Sequence, residues 1–502
     1  MVRQASGVIY LNCFLAAPLL GINLVLLSPF LRTTLLATLL LLGGLPVSHA
    51  APDRLPLAVR NAVKAAGLPA ASIGIYVQDA ASRKVVLAYN AKQPMNPAST
   101  MKLLTTYAGL ELLGPAFTWK TEVFANGTLS GDVLNGDLVL KGYGDPKLTL
   151  ENLWLLLRDL RQRGLREIRG NLVLDKSYFD IKEMDSGAFD NEPQRPYNVA
   201  PDALLVNFNV VRLRLIPEAP GKLRIVADPA LPQLTMTGAV TLDNEPCGDW
   251  RTRISTGVVH GPSGTTINLG GRFSTDCGEK NLNLSLIKNG HYAHALFKQL
   301  WAELGGSFSG ELKSGIVPPG ARFLTRLESP PLAEIVRDIN KFSNNVMARH
   351  LFLTLGAEQS GKPGSTSNAA QAINAWLDVK QLQFPELVLE NGSGLSRVER
   401  ISPQHLGMLL LSAFNSPMFA ELESSLPIAS VDGTMKKRLT GESVAGHAHI
   451  KTGTLQGVKT VAGYVFDKKG RRSVVVCLIN DPQAAAGQAV QDALLQWVYN
   501  RP

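Results

Sequence analysis

The stretch Asn96-Pro-Ala-Ser-Thr-Met-Lys102 begins a predicted helix that ends at Gly114-Pro115. Ser99 and Lys102 stand three positions apart, and on a helix such positions share one face about a turn apart. A serine hydroxyl is a weak nucleophile at neutral pH, and a buried lysine in its neutral form can act as its base. The stretch therefore predicts a nucleophile and its base on the first turn of a helix.

The Ser-x-x-Lys spacing is weak evidence by itself. Ser285 and Lys288 have the same spacing, but the alternation that precedes them, Asn281-Leu-Asn-Leu-Ser285, is typical of a strand. On a strand, positions i and i+3 point to opposite faces, so we expect no Ser-Lys pair there.

Two further elements follow in the chain. Ser343-Asn-Asn345 lies within the helical periodicity that runs from Leu332 to Leu355. Lys451-Thr-Gly-Thr454 lies on a predicted strand, His449 to Phe466, which pairs with a strand from Arg472 to Ile479 in the C-terminal sheet. Each is weak alone, but the ordered triple is the signature of penicillin-binding proteins and serine β-lactamases.

The residue types of the triple give a coherent chemistry. Ser343 and a cationic lysine can relay a proton to a leaving amine, and Asn345 can hold a substrate amide. Lys451 with Thr452 can bind a C-terminal carboxylate through charge-assisted hydrogen bonds. The pattern predicts attack on a peptide close to its carboxyl end.

The backbone of the third element also has a predicted role. Gly453 removes a side chain where an extended peptide has to pair with the edge strand. The backbone N–H groups of Ser99, at a helix start, and of Thr454 are the predicted oxyanion hole.

Over essentially all of residues 51–502 the sequence resembles the class C low-molecular-mass penicillin-binding proteins, the D-alanyl-D-alanine carboxypeptidase and endopeptidase family. The segments that carry the resemblance are Asn96-Pro-Ala-Ser-Thr-Met-Lys102, Gly142-Tyr-Gly-Asp-Pro146, Ser343-Asn-Asn345, Gly392-Ser-Gly-Leu-Ser396, Val431-Asp-Gly-Thr434 and Lys451-Thr-Gly-Thr-Leu-Gln-Gly457. The resemblance implies a serine peptidase that penicillin inhibits, with peptidoglycan peptides and β-lactams as ligands. It implies that Ser99 is acylated and that Lys102 is the base, while Ser343, Asn345 and Lys451 complete the catalytic set.

The sequence departs from the family at two positions. Asn344 is often Asp in the family, and Asn391 replaces the Asp that is common before Gly-Ser-Gly-Leu-Ser. Some members carry a carboxylate in an inserted domain that contacts the free amine of the substrate. The matching carboxylate here is Asp190 or Glu192, and the sequence does not decide between them.

The resemblance implies an α/β (α+β) fold, a penicillin-recognising serine transpeptidase/β-lactamase-like domain with two β-rich inserted domains. Helical and strand periodicities agree with an α/β unit split by a β-rich stretch. We expect residues 51–118 and 318–502 to form the peptidase domain, residues 119–204 and 299–317 to form inserted domain II, and residues 205–298 to form inserted domain III. The turns at Gly144-Asp145-Pro146 and Asp432-Gly433 are interpreted as structural.

The first fifty residues have no acidic residue and carry a short apolar run that ends in Ser48-His49-Ala50. This pattern is typical of an export signal cleaved after Ala50. The alternative is a retained anchor built on Val8 to Leu31. We expect a periplasmic, cell-envelope protein.

Charge and cysteine content narrow the partners and the site chemistry. The 502-residue chain has a net charge of +9, which favours association with the anionic cell wall or membrane surface over nucleic acid. A homodimer is left open. Of its four cysteines, Cys247 and Cys277 lie in turn-like surroundings that favour a disulfide, whereas Cys477 lies in an apolar run. No metal-binding motif is present, so we expect no metal and no cofactor.

Two other functions compete with a peptidase. A class A β-lactamase places Glu-x-x-x-Asn between the second and third elements, and the match at Glu167 to Asn171 precedes Ser343. A non-catalytic wall-binding scaffold has no need of the intact set. We therefore expect a serine D-Ala-D-Ala carboxypeptidase that is also an endopeptidase.

Overall fold

The computed structural model describes residues 54–182, 184–218, 221–261 and 264–502. The predicted leader, its cleavage site after Ala50 and Cys13 lie outside the described residues. Among the helices that are described, none is both long enough and apolar enough to cross a membrane.

The described chain contains both helices and strands. The helices are α1 (Leu57–Ala65), α2 (Lys102–Leu112), α3 (Leu150–Gln162), α4 (Asn289–Glu303), α5 (Leu332–Phe342), α6 (Asn345–Ser360), α7 (Thr366–Val379), α8 (Pro403–Phe414), α9 (Phe419–Ser425) and α10 (Gln488–Tyr499). The strands are β1 (Ile73–Asp79), β2 (Val85–Tyr89), β3 (Lys120–Ser130), β4 (Val133–Gly142), β5 (Glu167–Ile168), β6 (Leu172–Asp175), β7 (Val211–Glu218), β8 (Lys222–Asp228), β9 (Leu234–Gly238), β10 (Thr241–Asp243), β11 (Ile254–Gly261), β12 (Gly264–Ser274), β13 (Lys280–Leu284), β14 (Ser307–Phe308), β15 (Leu312–Ser314), β16 (Arg322–Glu328), β17 (Ala448–Leu455), β18 (Val458–Phe466) and β19 (Arg472–Asn480).

An antiparallel sheet with the order β17-β18-β19-β1-β2 joins the two ends of the described chain. Ile73 on β1 lies opposite Ile479 on β19, and Asp79 lies opposite Ser473. Helices cover this sheet, so the predicted α/β class is confirmed.

The sheet is apolar on both faces because helices pack on both. Strand β19 reads Ser-Val-Val-Val-Cys-Leu-Ile without alternation, as a strand that is buried on two sides does. Val475, Cys477 and Ile479 face a core with α1 and α10, while Val474 and Val476 face a core with α2, α5, α6 and α8. Each fully buried aliphatic side chain contributes about 1.5–3 kcal/mol.

A separate apolar core, which includes Val123 and Trp301, is built from residues that the sequence interprets as inserted. Trp250 and Trp301 are buried in it. Strands β3 and β16, which flank this stretch, are antiparallel neighbours with Lys120 opposite Glu328. The chain therefore enters this stretch after α2 and leaves it before α5 at neighbouring points. The domain boundaries themselves stay a prediction.

Two elements differ from the sequence-based expectation. The helix expected from Leu332 to Leu355 is broken at Ser343, whose φ of 57° is left-handed. The side chain of Asn344 then accepts a hydrogen bond from the Met347 N–H and caps α6. The strand expected from His449 to Phe466 is two strands, because the chain turns at Gly457 with a φ of 74°.

We expect peptide mapping without reductant to recover Cys247 and Cys277 as one linked pair, because the structure joins them in a disulfide across 30 positions. Replacing both with alanine should lower the free energy of unfolding by about 3 kcal/mol, since the bond closes a loop of this length. Cys477 is free and buried and should be blocked by alkylation only after unfolding. Two alkylated thiols at 247 and 277 in the untreated protein would contradict the pairing.

Candidate active site

Ser99 lies in a 3-10 turn, Ala98–Met101, directly before α2. Ala98 has a φ of 45°, a left-handed conformation that costs a non-glycine residue about 1 kcal/mol or more. The Ala98 N–H donates to Asn96 Oδ1 at 2.8 Å, and Thr460 Oγ1 donates to the Pro97 carbonyl at 2.8 Å. The turn that presents the nucleophile is thus held from both the preceding loop and β18.

Lys102 is fully buried at the start of α2. Its Nζ lies 3.0 Å from Ser99 Oγ, 2.6 Å from Asn345 Oδ1 and 2.5 Å from the Ser393 carbonyl oxygen. Burial, and after it the charge of Lys451, hold the pKa of Lys102 well below its usual range. The structure therefore favours a neutral amine next to the serine.

The three contacts of Lys102 assign the direction of its lone pair. A neutral amine has two N–H donors and one lone pair, whereas an ammonium has three donors. The Asn345 amide oxygen and the Ser393 carbonyl can only accept, so they take the two donors. The lone pair then faces the Ser99 hydroxyl, which is the geometry of a general base.

A second serine and lysine pair lies beside the first. Lys451 is fully buried, and its Nζ donates to Ser343 Oγ at 2.8 Å and to the Thr452 carbonyl at 2.8 Å. Burial lowers the pKa of Lys451 to about 7. Near neutral pH Lys451 therefore exchanges its proton readily with a hydroxyl or a ligand.

Strand β17 is the edge of the peptidase sheet. Its first residues are covered, because the Ile450 N–H donates to the Pro427 carbonyl and the Ala429 N–H donates to the Ala448 carbonyl. From Lys451 to Leu455 no strand of the described residues pairs with its outer side. An extended peptide can add to the sheet at this free edge.

Gly453 lets the edge strand lie against the nucleophile turn. A Cβ atom at this position would stand 2.8 Å from the Ser99 nitrogen and 2.2 Å from Thr460 Oγ1. Thr454 follows on the exposed side, and Thr452 Oγ1 donates to Thr434 Oγ1 at 2.7 Å. The structure thus brings every predicted catalytic residue to one place, at the junction of α2, α6 and β17.

The segment Gly392–Ser396, for which the motifs predict no chemistry, supplies the Ser393 carbonyl to Lys102. Gly394 has a φ of 78°, and a Cβ atom there would lie 1.8 Å from the Ala98 carbonyl oxygen. Asn391 Oδ1 accepts from the Ser393 N–H and hydroxyl, so the amide serves where the family often has Asp. In the sequence, Gly392 and Gly394, which are separated by one residue, could have indicated that another backbone segment lies close to this loop.

The two candidate carboxylates of the inserted region both have protein partners. Asp190 accepts from the Tyr197 hydroxyl at 2.9 Å and from Asn198 Nδ2 at 2.7 Å, whereas Glu192 pairs with Arg195 at 3.2 Å. The neighbouring Phe189 ring lies 4.4 Å from the guanidinium of Arg397, and Arg397 donates to the Gln456 carbonyl at 3.2 Å. These contacts connect this region to the loop after Ser396 and to the end of β17.

Other conspicuous polar residues have structural partners. Asp145 is buried, accepts from the Lys147 N–H at 2.8 Å, and has its pKa raised to about 6 by burial. Asp432 pairs with Lys341 at 2.7 Å, so both aspartates stabilise turns. Ser285 and Lys288 lie between strand β13 and helix α4, so their spacing is not helical. Ser285 Oγ accepts a hydrogen bond from Asn209 Nδ2. Within the residues that the structure describes, no cluster of His, Cys, Asp and Glu could hold a metal ion.

Comparison with known proteins gives consistent matches over nearly the whole described chain. The profile of the D-Ala-D-Ala carboxypeptidase 3 (S13) family matches residues 57–501. The chain is 27% identical over 413 residues to the D-alanyl-D-alanine carboxypeptidase DacB of Haemophilus influenzae, covering 82% of this chain and 85% of that one. It is 29% identical over 443 residues to a D-alanyl-D-alanine carboxypeptidase of an Actinomadura species, covering 85% and 81%. The crystal structure of penicillin-binding protein 4 from Haemophilus influenzae matches with a TM-score of 0.75 at 24% identity, over 89% of this chain and 100% of that one.

We expect Gly394→Ala to slow acylation of Ser99 by penicillin about 100-fold, the effect of misplacing a reacting group by about 1 Å. The added methyl collides with the Ala98 carbonyl and displaces the nucleophile turn. Gly446→Ala is the matched control, because Gly446 has the same φ of 78° and nothing within 4 Å of its Cβ position. Stopped-flow acylation checks the prediction. Acylation of Gly394→Ala as fast as that of Gly446→Ala would contradict the role of the contact with Ala98.

Proposed function

Since the chain belongs to the D-Ala-D-Ala carboxypeptidase 3 (S13) family, we propose that it hydrolyses D-Ala-terminated peptidoglycan peptides through an acyl-enzyme on Ser99. The match confirms the resemblance drawn from the motifs. The observation that carries the assignment of Ser99 is the 3.0 Å contact between its Oγ and the fully buried Nζ of Lys102.

The first half-reaction follows from these contacts. As Ser99 Oγ attacks the carbonyl carbon of the penultimate D-Ala, its proton passes to the lone pair of Lys102. The developing oxyanion is stabilised by the N–H groups of Ser99 and Thr454. The C–N bond then breaks, and the leaving amine takes a proton from Ser343 Oγ, which Lys451 replaces.

The second half-reaction returns the enzyme to its starting state. Between the half-reactions Lys102 gives up the proton that it took from Ser99, and Lys451 regains the proton that it gave through Ser343. A water molecule then attacks the ester carbon of the acyl-enzyme and gives a proton to the neutral Lys102. The ester bond to Ser99 Oγ breaks, the oxygen regains its proton, and the shortened peptide leaves with a free carboxylate. No atom beyond the substrate, water and these side chains is required.

Carboxypeptidase activity needs recognition of a terminal carboxylate. Lys451 Nζ, which donates to the Thr452 carbonyl, supplies a cation for it, and the Thr452 side chain supplies a hydroxyl from the next position on β17. A peptide added to this edge pairs with the strand and places its last amide bond against Ser99.

Endopeptidase activity needs space for the amino acid on the donor side of a cross-link. We propose that this residue of diaminopimelate type lies against the region of Phe189 and Arg397, where the inserted region meets the site. The contact with its free amine comes from Asp190 or Glu192, and the sequence and the geometry leave both open.

The rival functions are less well supported. Glu167 of the Glu-x-x-x-Asn match lies on β5 and forms an ion pair with Arg169 at 2.6 Å. It is therefore a poor candidate for the base of deacylation. A related solved structure is a complex of penicillin-binding protein 4 with a β-lactam, at 25% identity and a TM-score of 0.71. We therefore propose a stable penicilloyl adduct and not rapid turnover. A scaffold would not need two buried lysines at a serine.

We also propose that the protein acts in the periplasm after signal cleavage near Ala50, because its peptidoglycan substrate lies outside the inner membrane. The disulfide between Cys247 and Cys277 supports an oxidising compartment. The net charge of +9 supports peripheral association with the anionic wall or membrane surface, and a homodimer remains an expectation.

Wild-type enzyme should trim free pentapeptides and cut cross-linked muropeptide dimers, and Ser99→Ala should do neither. Parallel digests followed by chromatography and mass spectrometry measure both activities. Intact-mass analysis should show one penicilloyl group on the wild type and none on the variant. Intact dimers with trimmed pentapeptides would leave a carboxypeptidase alone, and hydrolysis by Ser99→Ala would overturn the mechanism.

The activity on pentapeptides should fall at alkaline pH. Because burial lowers the pKa of Lys451 to about 7, its cationic form is lost as the pH rises through that value in the free enzyme. The kcat/KM for a pentapeptide should therefore decline above about pH 7, while kcat declines at a higher pH because the bound carboxylate favours the ammonium. A pentapeptide with an amidated terminus should lack this difference between kcat and kcat/KM. A kcat/KM that is unchanged up to about pH 9 would contradict the carboxylate role of Lys451.

A further inference from the structure

The carboxylate of Glu399 is fully buried in the loop behind Lys102. Its Oε1 accepts three consecutive backbone N–H groups, those of Glu390 at 3.1 Å, Asn391 at 2.9 Å and Gly392 at 3.0 Å. Its Oε2 has no hydrogen-bond partner among the described residues. A buried carboxylate with this many backbone donors on one oxygen is held in a single orientation.

The loop that folds around this carboxylate contacts α2 through its carbonyl oxygens. The Gly392 carbonyl accepts from Thr105 Oγ1 at 2.6 Å, and the next carbonyl, that of Ser393, accepts from Lys102 Nζ at 2.5 Å. The Glu399 N–H donates to Ser396 Oγ at 3.0 Å and closes the loop. The N–H groups of this turn thus face Glu399 while its carbonyl groups face the helix of the base.

Charged groups meet Glu399 from the elements packed against the loop. Lys102 approaches from α2 and the buried Arg349 approaches from α6, while Glu390 belongs to the loop itself. Lys451 and Arg349 act on Lys102 by repulsion. Burial raises the pKa of Glu399 and its three N–H donors lower it. The negative charge of Glu399 favours the ammonium form of Lys102, against burial and Lys451.

We propose that Glu399 is a positioning residue for the general base, which fixes the Ser393 carbonyl against Lys102 and counterbalances the positive charge there. It contacts neither the substrate nor the reacting atoms in the described structure. Through the Ser393 carbonyl it directs one N–H of Lys102 away from Ser99, so that the lone pair faces the hydroxyl. Its charge limits how readily Lys102 loses its proton.

The proposal predicts two separable effects. Glu399→Gln keeps an oxygen for the three N–H groups and removes the charge, so Lys102 should lose its proton at lower pH. In a plot of the rate of acylation by penicillin against pH, the acidic limb should therefore move to lower pH. The plateau rate should be largely unchanged. Glu399→Leu removes the acceptor as well and should lower the plateau about 100-fold, as misplacement by about 1 Å does.

The experiment measures the second-order acylation rate with a fluorescent penicillin from about pH 5 to about pH 9 for each full-length variant. Glu111→Gln is the matched control, because Glu111 is a partly buried carboxylate near the other end of α2, about 13 Å along the helix from Lys102. Its charge is not among those that shift the pKa of Lys102. The acidic limb of the pH profile of Glu111→Gln should therefore stay at the wild-type position.

An acidic limb of Glu399→Gln at the wild-type position would overturn the charge effect. If Glu399→Gln does not fold, as judged by thermal unfolding, Glu399→Asp decides the matter. Its shorter carboxylate keeps the charge but cannot reach all three N–H groups, so the limb should stay and the plateau should fall. A wild-type plateau, or a limb that moves, would refute the proposal.

The inference rests on the proposed function, since its readout is the acylation of Ser99. Its failure is distinguishable from the failure of that function. A wild-type enzyme that penicillin does not acylate would remove the proposed function and the inference with it. A wild type that is acylated, with variants that behave as the Glu111 control does, would remove the role of Glu399 alone.

Discussion

The burial of an amine without a carboxylate in contact with it is the constraint on which the rest of this structure depends. Lys102 loses its water on folding, and a buried ammonium is expensive unless it is paired. The protein supplies neutral acceptors, the Asn345 amide and the Ser393 carbonyl, and adds the positive charge of Lys451 nearby. These surroundings favour the deprotonated form, which is the form a base needs.

The acceptors come from parts of the chain that are far apart in sequence, so the amine is buried only when the whole fold has formed. Asn345 begins α6 after a left-handed serine, and the Ser393 loop is closed by a bridge between Val388 and Arg400. The edge strand reaches the nucleophile turn only because Gly453 has no side chain. Catalytic competence is thereby coupled to tertiary structure, and local helix formation alone does not produce the base.

Side-chain chemistry in short motifs could be predicted from the sequence, whereas backbone contributions could not. The triple of Ser99, Ser343 and Lys451 elements was recognisable because each needs particular residue types at fixed spacing. The Ser393 carbonyl was not, since every residue has a carbonyl group and only the fold selects one. The break at Ser343 was missed because apolar periodicity continues on both sides of it, and the turn at Gly457 was missed because β-branched residues flank it.

The pairing of β3 with β16 has a consequence for the length of the segment between these strands. Lys120 and Glu328 are cross-strand neighbours, and the Ser329 N–H donates to the Trp119 carbonyl at 2.8 Å just outside them. The two ends of the segment between them are therefore close together in space. A fold tolerates the insertion of a segment when the ends of that segment lie close together. The intervening segment can therefore change in length while the strands that meet at Lys120 and Glu328 keep their pairing.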